Sequence, residues 1–220
     1  MSLEEEIASK PSYVGKTIEY FKLNQTNNLD DYLKRLYFIY PTLHVDHDQL
    51  GNIIKEAQRR FGTSFHYIKV IGSKHQGFSF IDKNNNGQIK YVEDTSDIDL
   101  AIIDSDLFNK LSTNTLIETE NFALRNKFKS PFVDRAGRQF NYFEYYKKNI
   151  MSGFIRPDSL GCYKDRKIFD DFSKDMKADY GIKISAAIYL NEISFILRLS
   201  KQIREFYDME EVRDGLKREV

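Results

Sequence analysis

Two carboxylates, Asp97 and Asp99, flank Ile98 in the stretch S-D-I-D-L-A-I-I that ends at Ile103. In an extended strand residues two apart point to the same side, so Asp97 and Asp99 face one way while Ile98 and Leu100 face the other. Two carboxylates confined to one small space repel each other unless a cation joins them. The pair is therefore a natural seat for Mg²⁺, a hard ion that takes oxygen ligands and usually shares them with substrate phosphates. Upstream, an apolar segment ending at Ile71 gives way to Gly72 and Ser73. Such a turn offers bare backbone amides and a hydroxyl that can approach a phosphate closely. Lys74 follows directly and has two readings, a cation that neutralises phosphates or a surface lysine.

Taken together, V-I-G-S-K-H-Q-G followed by S-D-I-D-L-A-I-I resembles the nucleotidyltransferase superfamily that includes DNA polymerase β. In that superfamily a Gly-Ser turn contacts a triphosphate and an Asp-x-Asp strand holds the metals. The resemblance, to a small stand-alone bacterial-type member, implies transfer of a nucleoside monophosphate from an NTP, ATP or CTP, to an acceptor with release of pyrophosphate. It assigns Asp97 and Asp99 as catalytic metal ligands for Mg²⁺ or Mn²⁺, and Gly72, Ser73 and Lys74 as nucleotide-binding residues. The acceptor is an RNA end such as a tRNA, a protein or a small molecule, and a toxin or antiviral-defence setting with a protein partner follows by resemblance only. Most active members carry a third carboxylate on a later strand. Here the strand Ile182 to Tyr189 offers Ser185 and Ala187 in its place, with Glu144 and Asp134 as substitutes, so a catalytically degenerate nucleotide-binding or partner-binding module on the same fold is the alternative. Arg135, Arg138 and Arg156 are candidate phosphate or acceptor contacts, because guanidinium forks fit phosphate.

The implied fold class is α+β: a mixed β-sheet flanked by helices, with an inserted β-hairpin and helical N- and C-terminal segments. Residue patterns place helices over Val14 to Leu23 and Leu29 to Tyr40, the second ended by Pro41. Asp46 or Asp48 caps a helix running to about Phe61, with Leu50, Ile53, Ile54 and Ala57 on one face, and Gly62 closes it. A strand over Ser64 to Ile71 leads into the Gly-Ser turn. Between the two motifs, F-S-F-I-D-K-N-N-N-G-Q-I-K-Y-V-E reads as two short strands joined at Asn86 and Gly87, a hairpin at the rim of the site. After Ile103 the pattern predicts helices over Asp104 to Leu111 and Ile117 to Lys129. Phe140 to Ile150 is aromatic and fits either strand or helix, Gly153 to Asp158 is a loop, and Ile168 to Ala178 is helical. Ile182 to Tyr189 is a strand. Glu192 to Tyr207 is an amphipathic helix with Ile193, Ile196, Leu197, Ser200 and Ile203 along one stripe, and the charged tail from Asp208 frays. The segments divide as an N-terminal helical part over 1–62, a core over 63–150, and a strand and helix over 151–220.

Three other clusters compete for chemistry. Asp82, Asn84, Asn86, Gly87 and Glu93 fall at ligand and glycine positions of an EF-hand calcium loop, with Ile89 at its apolar position, but such a loop needs a helix on each side and the flanks here read as strands. His44, Asp46, His47 and Asp48 resemble a metal cluster and are more simply a capping turn. Cys162 has no His or Asp arrangement that would activate it and reads as structural.

Composition sets the outer bounds. A chain of 220 residues is long enough for one substantial core. Lys plus Arg and Asp plus Glu balance at 33 each, so global charge gives no argument for a nucleic-acid or membrane surface. One cysteine excludes an internal disulfide framework and a cysteine-built zinc site. The sequence has no apolar run near the roughly 20 residues that span a bilayer and no basic, apolar leader, which predicts a cytoplasmic protein. The 17 Phe and 14 Tyr predict a core packed with rings.

Overall fold

The computed structural model of the chain describes residues 11–24, 29–80, 89–133, 137 and 139–208. In chain order the helices and strands are α1 (Val14–Asn24), α2 (Leu29–Lys34), α3 (His47–Phe61), β1 (Ile68–Ile71), α4 (Ser73–Gln76), β2 (Ile98–Ile103), α5 (Ser105–Glu118), β3 (Phe132–Val133), β4 (Gln139–Phe140), α6 (Tyr142–Ile150), β5 (Phe154–Ile155), α7 (Tyr163–Tyr180), β6 (Ile184–Tyr189) and α8 (Glu192–Tyr207). The fold is α+β, with a mixed four-stranded sheet in the order β1-β2-β6-β5 and a small two-stranded pair, β3-β4. Contacts gather the chain into two compact units: Met1–Gln49, Val70–Asp99 and Ile196–Val220 form one, Leu50–Lys69 and Leu100–Phe195 the other.

The first unit is packed largely by rings. Phe78 and Phe80 meet at 5.2 Å between centroids, and Phe206 of α8 lies 5.1 Å from Phe78 and 5.5 Å from Phe80. Leu33, Leu36, Ile196, Leu199 and Ile203 are buried with them. The helix over Leu29 to Tyr40 is in fact α2 followed by a wider π turn, Arg35–Ile39, in which the Tyr40 amide donates to the Arg35 carbonyl at 2.9 Å. That widening releases the Leu36 carbonyl from its ordinary helical partner, and the buried ring of His75 takes it up.

The second unit centres on α3, α7 and the apolar strands. Ile53, Ile54 and Ala57 are buried on α3 as their spacing predicts, while Leu50, expected beside them, is half-buried; Phe61 is also buried, stacking on Phe169 at 4.2 Å and meeting Phe172 edge-on at 5.0 Å. Gly62 ends α3 at φ +68°. Asp104 caps α5, its Oδ1 accepting from the amides of Asp106 and Leu107 at 3.0 Å each, while Thr63 donates its hydroxyl to Asp104 Oδ2.

Several expectations need correction. A single helix, α5, replaces the two expected over Asp104 to Leu111 and Ile117 to Lys129. It stops because Thr119 bonds back to the Thr115 carbonyl at 2.7 Å and because Glu120, Asn121 and Phe122 take left-handed backbone angles. The segment Gly153 to Asp158 is not all loop, since Phe154 and Ile155 pair antiparallel with Tyr189 and Ile188; a two-residue strand is too short to show alternation. The aromatic segment splits at Asn141, whose Oδ1 accepts from the Glu144 amide at 3.2 Å and opens α6. On α8 the stripe holds in part: Ile196, Ser200 and Ile203 are buried as expected, but Ile193 and Leu197 are exposed at 70 % and 62 %, and Phe195 and Phe206 take core positions instead. The large rings share the core face with Ile196, Leu199 and Ile203, and Ile193 and Leu197 fall outside it. Among the described residues no helix is long and apolar enough to cross a membrane.

Candidate functional site

The polypeptide leaves β1 at Ile71 and reverses at Gly72, which adopts φ +73° and ψ −161°, a conformation that side chains rarely permit. A Cβ at this position would lie 3.3 Å from Asp99 Oδ2. Glycine is thus what allows the turn to come against the carboxylate, and two motifs well separated in sequence meet here. The Gly72 carbonyl accepts from the amides of His75 and Gln76 at 3.0 and 3.1 Å. These two amides are spent inside the turn, whereas Ser73 lines a cleft with Asp97 and Asp99. Gly77 ends α4 at φ +87°, where a Cβ would stand 2.6 Å from the Pro11 carbonyl oxygen.

Behind the turn, polar side chains hold it in place. His75, only 2 % exposed, stacks on Tyr37 at 5.0 Å and meets the Leu36 carbonyl through Nε2 at 2.7 Å and Thr42 Oγ1 through Nδ1 at 3.1 Å. A carbonyl only accepts, so Nε2 carries the proton and Nδ1 accepts from Thr42. Burial depresses the His75 pKa to about 4 and keeps the ring neutral. Tyr37 donates its hydroxyl to Gln76 Oε1 at 2.6 Å.

The carboxylate half is positioned by β2 and the turn before it. Ile98 and Leu100 are buried, Asp97 is exposed and Asp99 half-buried, which is the alternation expected. Asp97 immediately precedes β2 rather than lying within it. Its approach is set by a turn in which the Ser96 amide donates to the Glu93 carbonyl at 3.0 Å and the Glu93 amide to Ser96 Oγ at 3.0 Å. Lys74 is not a surface lysine: it is buried, and its Nζ donates to the Asp94 carbonyl at 3.1 Å within this same turn.

Ser73, Asp97 and Asp99 line a cleft of about 230 Å³ whose other walls are Ser79, Lys90, Tyr91, Glu93, Thr95 and Ser96. Ser79, Lys90, Tyr91, Thr95 and Ser96 were not singled out by sequence reasoning. The signal that points to them is the hairpin itself. Its arms pair antiparallel through Phe78 and Tyr91, with the Ser79 amide on the Lys90 carbonyl at 2.8 Å and the Val92 amide on the Gly77 carbonyl at 2.9 Å. The returning arm is thereby delivered beside the Gly-Ser turn. The Asn86-Gly87 tip and the loop positions Asp82, Asn84 and Asn86 lie outside the described residues.

Two carboxylates, a serine hydroxyl and an open polar cleft form a donor set that fits Mg²⁺, which is bound by one or two carboxylates plus substrate phosphates. Among the described residues no group of three or more His, Cys, Asp or Glu is gathered closely enough to hold a metal by protein ligands alone. The strand β6, next to β2 in the sheet, presents Ser185, Ala186 and Ala187 half-buried and no acid. Glu144 is exposed in the first turn of α6. Asp134, Arg135 and Arg138 fall outside the described residues. Arg156 is engaged locally, with Nη2 on Asp158 Oδ2 at 2.5 Å and its guanidinium over the rings of Phe140 and Tyr145.

Of the other clusters, Asp46, His44 and Cys162 have local roles in the described structure. Asp46 Oδ1 accepts from the Gln49 amide at 2.9 Å as a cap, and His44 Nε2 meets the Pro11 carbonyl at 2.6 Å. Cys162 is buried just before α7, and burial pushes its thiol pKa up, the reverse of an activated nucleophile. No protein-family model, curated protein or solved structure matches the chain.

Proposed function

We propose that this chain is a metal-dependent nucleotidyltransferase that moves a nucleoside monophosphate from an NTP to an acceptor, an RNA end, a protein or a small molecule. The observation that carries the reading is the contact distance at Gly72, where a β-carbon would come 3.3 Å from Asp99 Oδ2. The Gly-Ser turn thus comes against the Asp-x-Asp strand, and Ser73, Asp97 and Asp99 share one cleft of about 230 Å³. Asp97 and Asp99 would hold Mg²⁺ or Mn²⁺, which when bound activates the acceptor oxygen and stabilises charge on the transferring phosphoryl group. Ser73 donates its hydroxyl to the triphosphate, and Gly72, lacking a β-carbon, lets the turn sit this close to Asp99. Lys74, expected beside the phosphates, serves in this reading from behind by holding the Glu93–Ser96 turn that delivers Asp97.

A second reading is a nucleotide-binding or partner-binding module without turnover, favoured by the absence of a carboxylate from the described strand β6. One experiment separates the two. The protein is incubated with each α-labelled NTP, Mg²⁺ and a cell extract, and label is sought in RNA, protein and small molecules. Label transferred by the wild type and lost in Asp97→Ala supports the enzyme, whereas NTP binding with no transfer to any fraction supports the module.

A further inference from the structure

The triphosphate of the proposed substrate carries several negative charges, yet the cation nearest the Gly-Ser turn in sequence, Lys74, is buried and bonded to the Asp94 carbonyl. It is not among the residues that line the cleft. The cleft contains a different lysine. Lys90 lines it from the hairpin's returning arm, with its backbone fixed by the Ser79 amide on its carbonyl at 2.8 Å. Its Nζ lies 3.2 Å from Glu93 Oε1, which lines the same cleft. The two side chains are 42 % and 55 % exposed, and an ion pair so open to water contributes little, so exchanging one anionic partner for another costs little. A polyanion seated between Ser73 and the carboxylates would offer Lys90 a stronger partner than a single carboxylate does.

Resting on the nucleotidyltransferase reading, we propose that Lys90 is the lysine that meets the triphosphate, and that Glu93 is its counter-ion while the cleft is empty. The hairpin is then a working wall of the nucleotide site. Glu93 sets a threshold: it holds the ammonium in place, and it competes with any anion for it.

The test is calorimetric titration of the full chain with two probes in excess Mg²⁺ at fixed ionic strength, inorganic tripolyphosphate and ATP, with a melting curve for each variant. Lys90→Met is expected to weaken both probes about tenfold, the scale of losing a hydrogen bond between charged groups. Lys90→Arg keeps the charge and should bind near the wild-type level. Glu93→Gln removes the competitor and should tighten both probes about two- to threefold, a change of sign that a merely structural role would not produce. Because both side chains are about half exposed, unaltered melting temperatures are expected. Wild-type binding in Lys90→Met would overturn the proposal while leaving the nucleotidyltransferase reading intact. Weakened binding in Glu93→Gln would also overturn it, because Glu93 would then be acting as a ligand to the cation rather than as a counter-ion. If the wild type binds neither probe, both readings fall.

Discussion

Asp97 is exposed just before β2 and Asp99 half-buried within it, so on the proposed nucleotidyltransferase reading removing either should cost function more than fold. On the proposed reading, in which both carboxylates would hold the metal, Asp97→Ala and Asp99→Ala are expected to abolish nucleotide transfer while the proteins remain folded by melting curve. Label transfer by the double variant at the wild-type rate would end the assignment. At the turn, Ser73→Ala should weaken NTP use by about 1–3 kcal/mol, the range for a hydrogen bond to a charged group. Gly72→Ala should be worse, because it places a β-carbon 3.3 Å from Asp99 Oδ2 on a backbone at φ +73°. Affinity, turnover and a melting curve for both variants would check this ordering. The alternation of Asp97 and Asp99 with buried Ile98 and Leu100 was legible in the sequence because it depends on a spacing of two positions. The meeting of Gly72 with Asp99 was expected only through the resemblance, and the burial of Lys74 was not legible, since it depends on the Asp94 carbonyl twenty residues further on.

At the scale of elements, strongly periodic segments were legible and short ones were not. The helix over Glu192 to Tyr207 and the strand ending at Tyr189 match their expected spans because each carries a sustained apolar pattern. Within α8, Ile196, Ser200 and Ile203 of the expected stripe are buried, and Phe206, packed on Phe78 and Phe80, joins them where Ile193 and Leu197 were expected to contribute. The hairpin offers a test at this scale. An EF-hand loop requires helices on both sides, and the described flanks are instead paired antiparallel at Phe78 and Tyr91. Millimolar Ca²⁺ is therefore expected to leave the melting temperature unchanged. A rise in the wild type that disappears in Glu93→Gln would establish a calcium loop and overturn this reading of the hairpin.

For the molecule as a whole, composition gave an electrostatically balanced chain, with 33 basic and 33 acidic residues. Near neutral pH, long-range self-repulsion is then small, and the pH dependence of stability rests on individual buried groups. Among the described residues, His75 is a buried group that titrates in the mildly acidic range. Its pKa falls from 6.5 to about 4 on folding, through burial of a ring whose Nε2 is committed to the Leu36 carbonyl. The unfolded chain therefore binds a proton that the folded chain refuses between these values. Stability from this group is fully present above about pH 6.5 and declines as pH falls toward 4, by about 3 kcal/mol in all at 1.36 kcal/mol per unit. Glu56, whose carboxylate is held down to about 2 by hydrogen bonds from Arg59 and Arg60, acts in the separate window below about pH 4.5. Chemical denaturation at a series of pH values should show the loss between 6.5 and 4 in the wild type. A His75→Gln variant should be less stable at pH 7, where the fitted ring packing is lost, yet flatter with pH. An identical slope in both proteins would mean that other groups titrate there, and that the neutral imidazole is not what braces the Gly-Ser turn against the π turn at Arg35–Ile39.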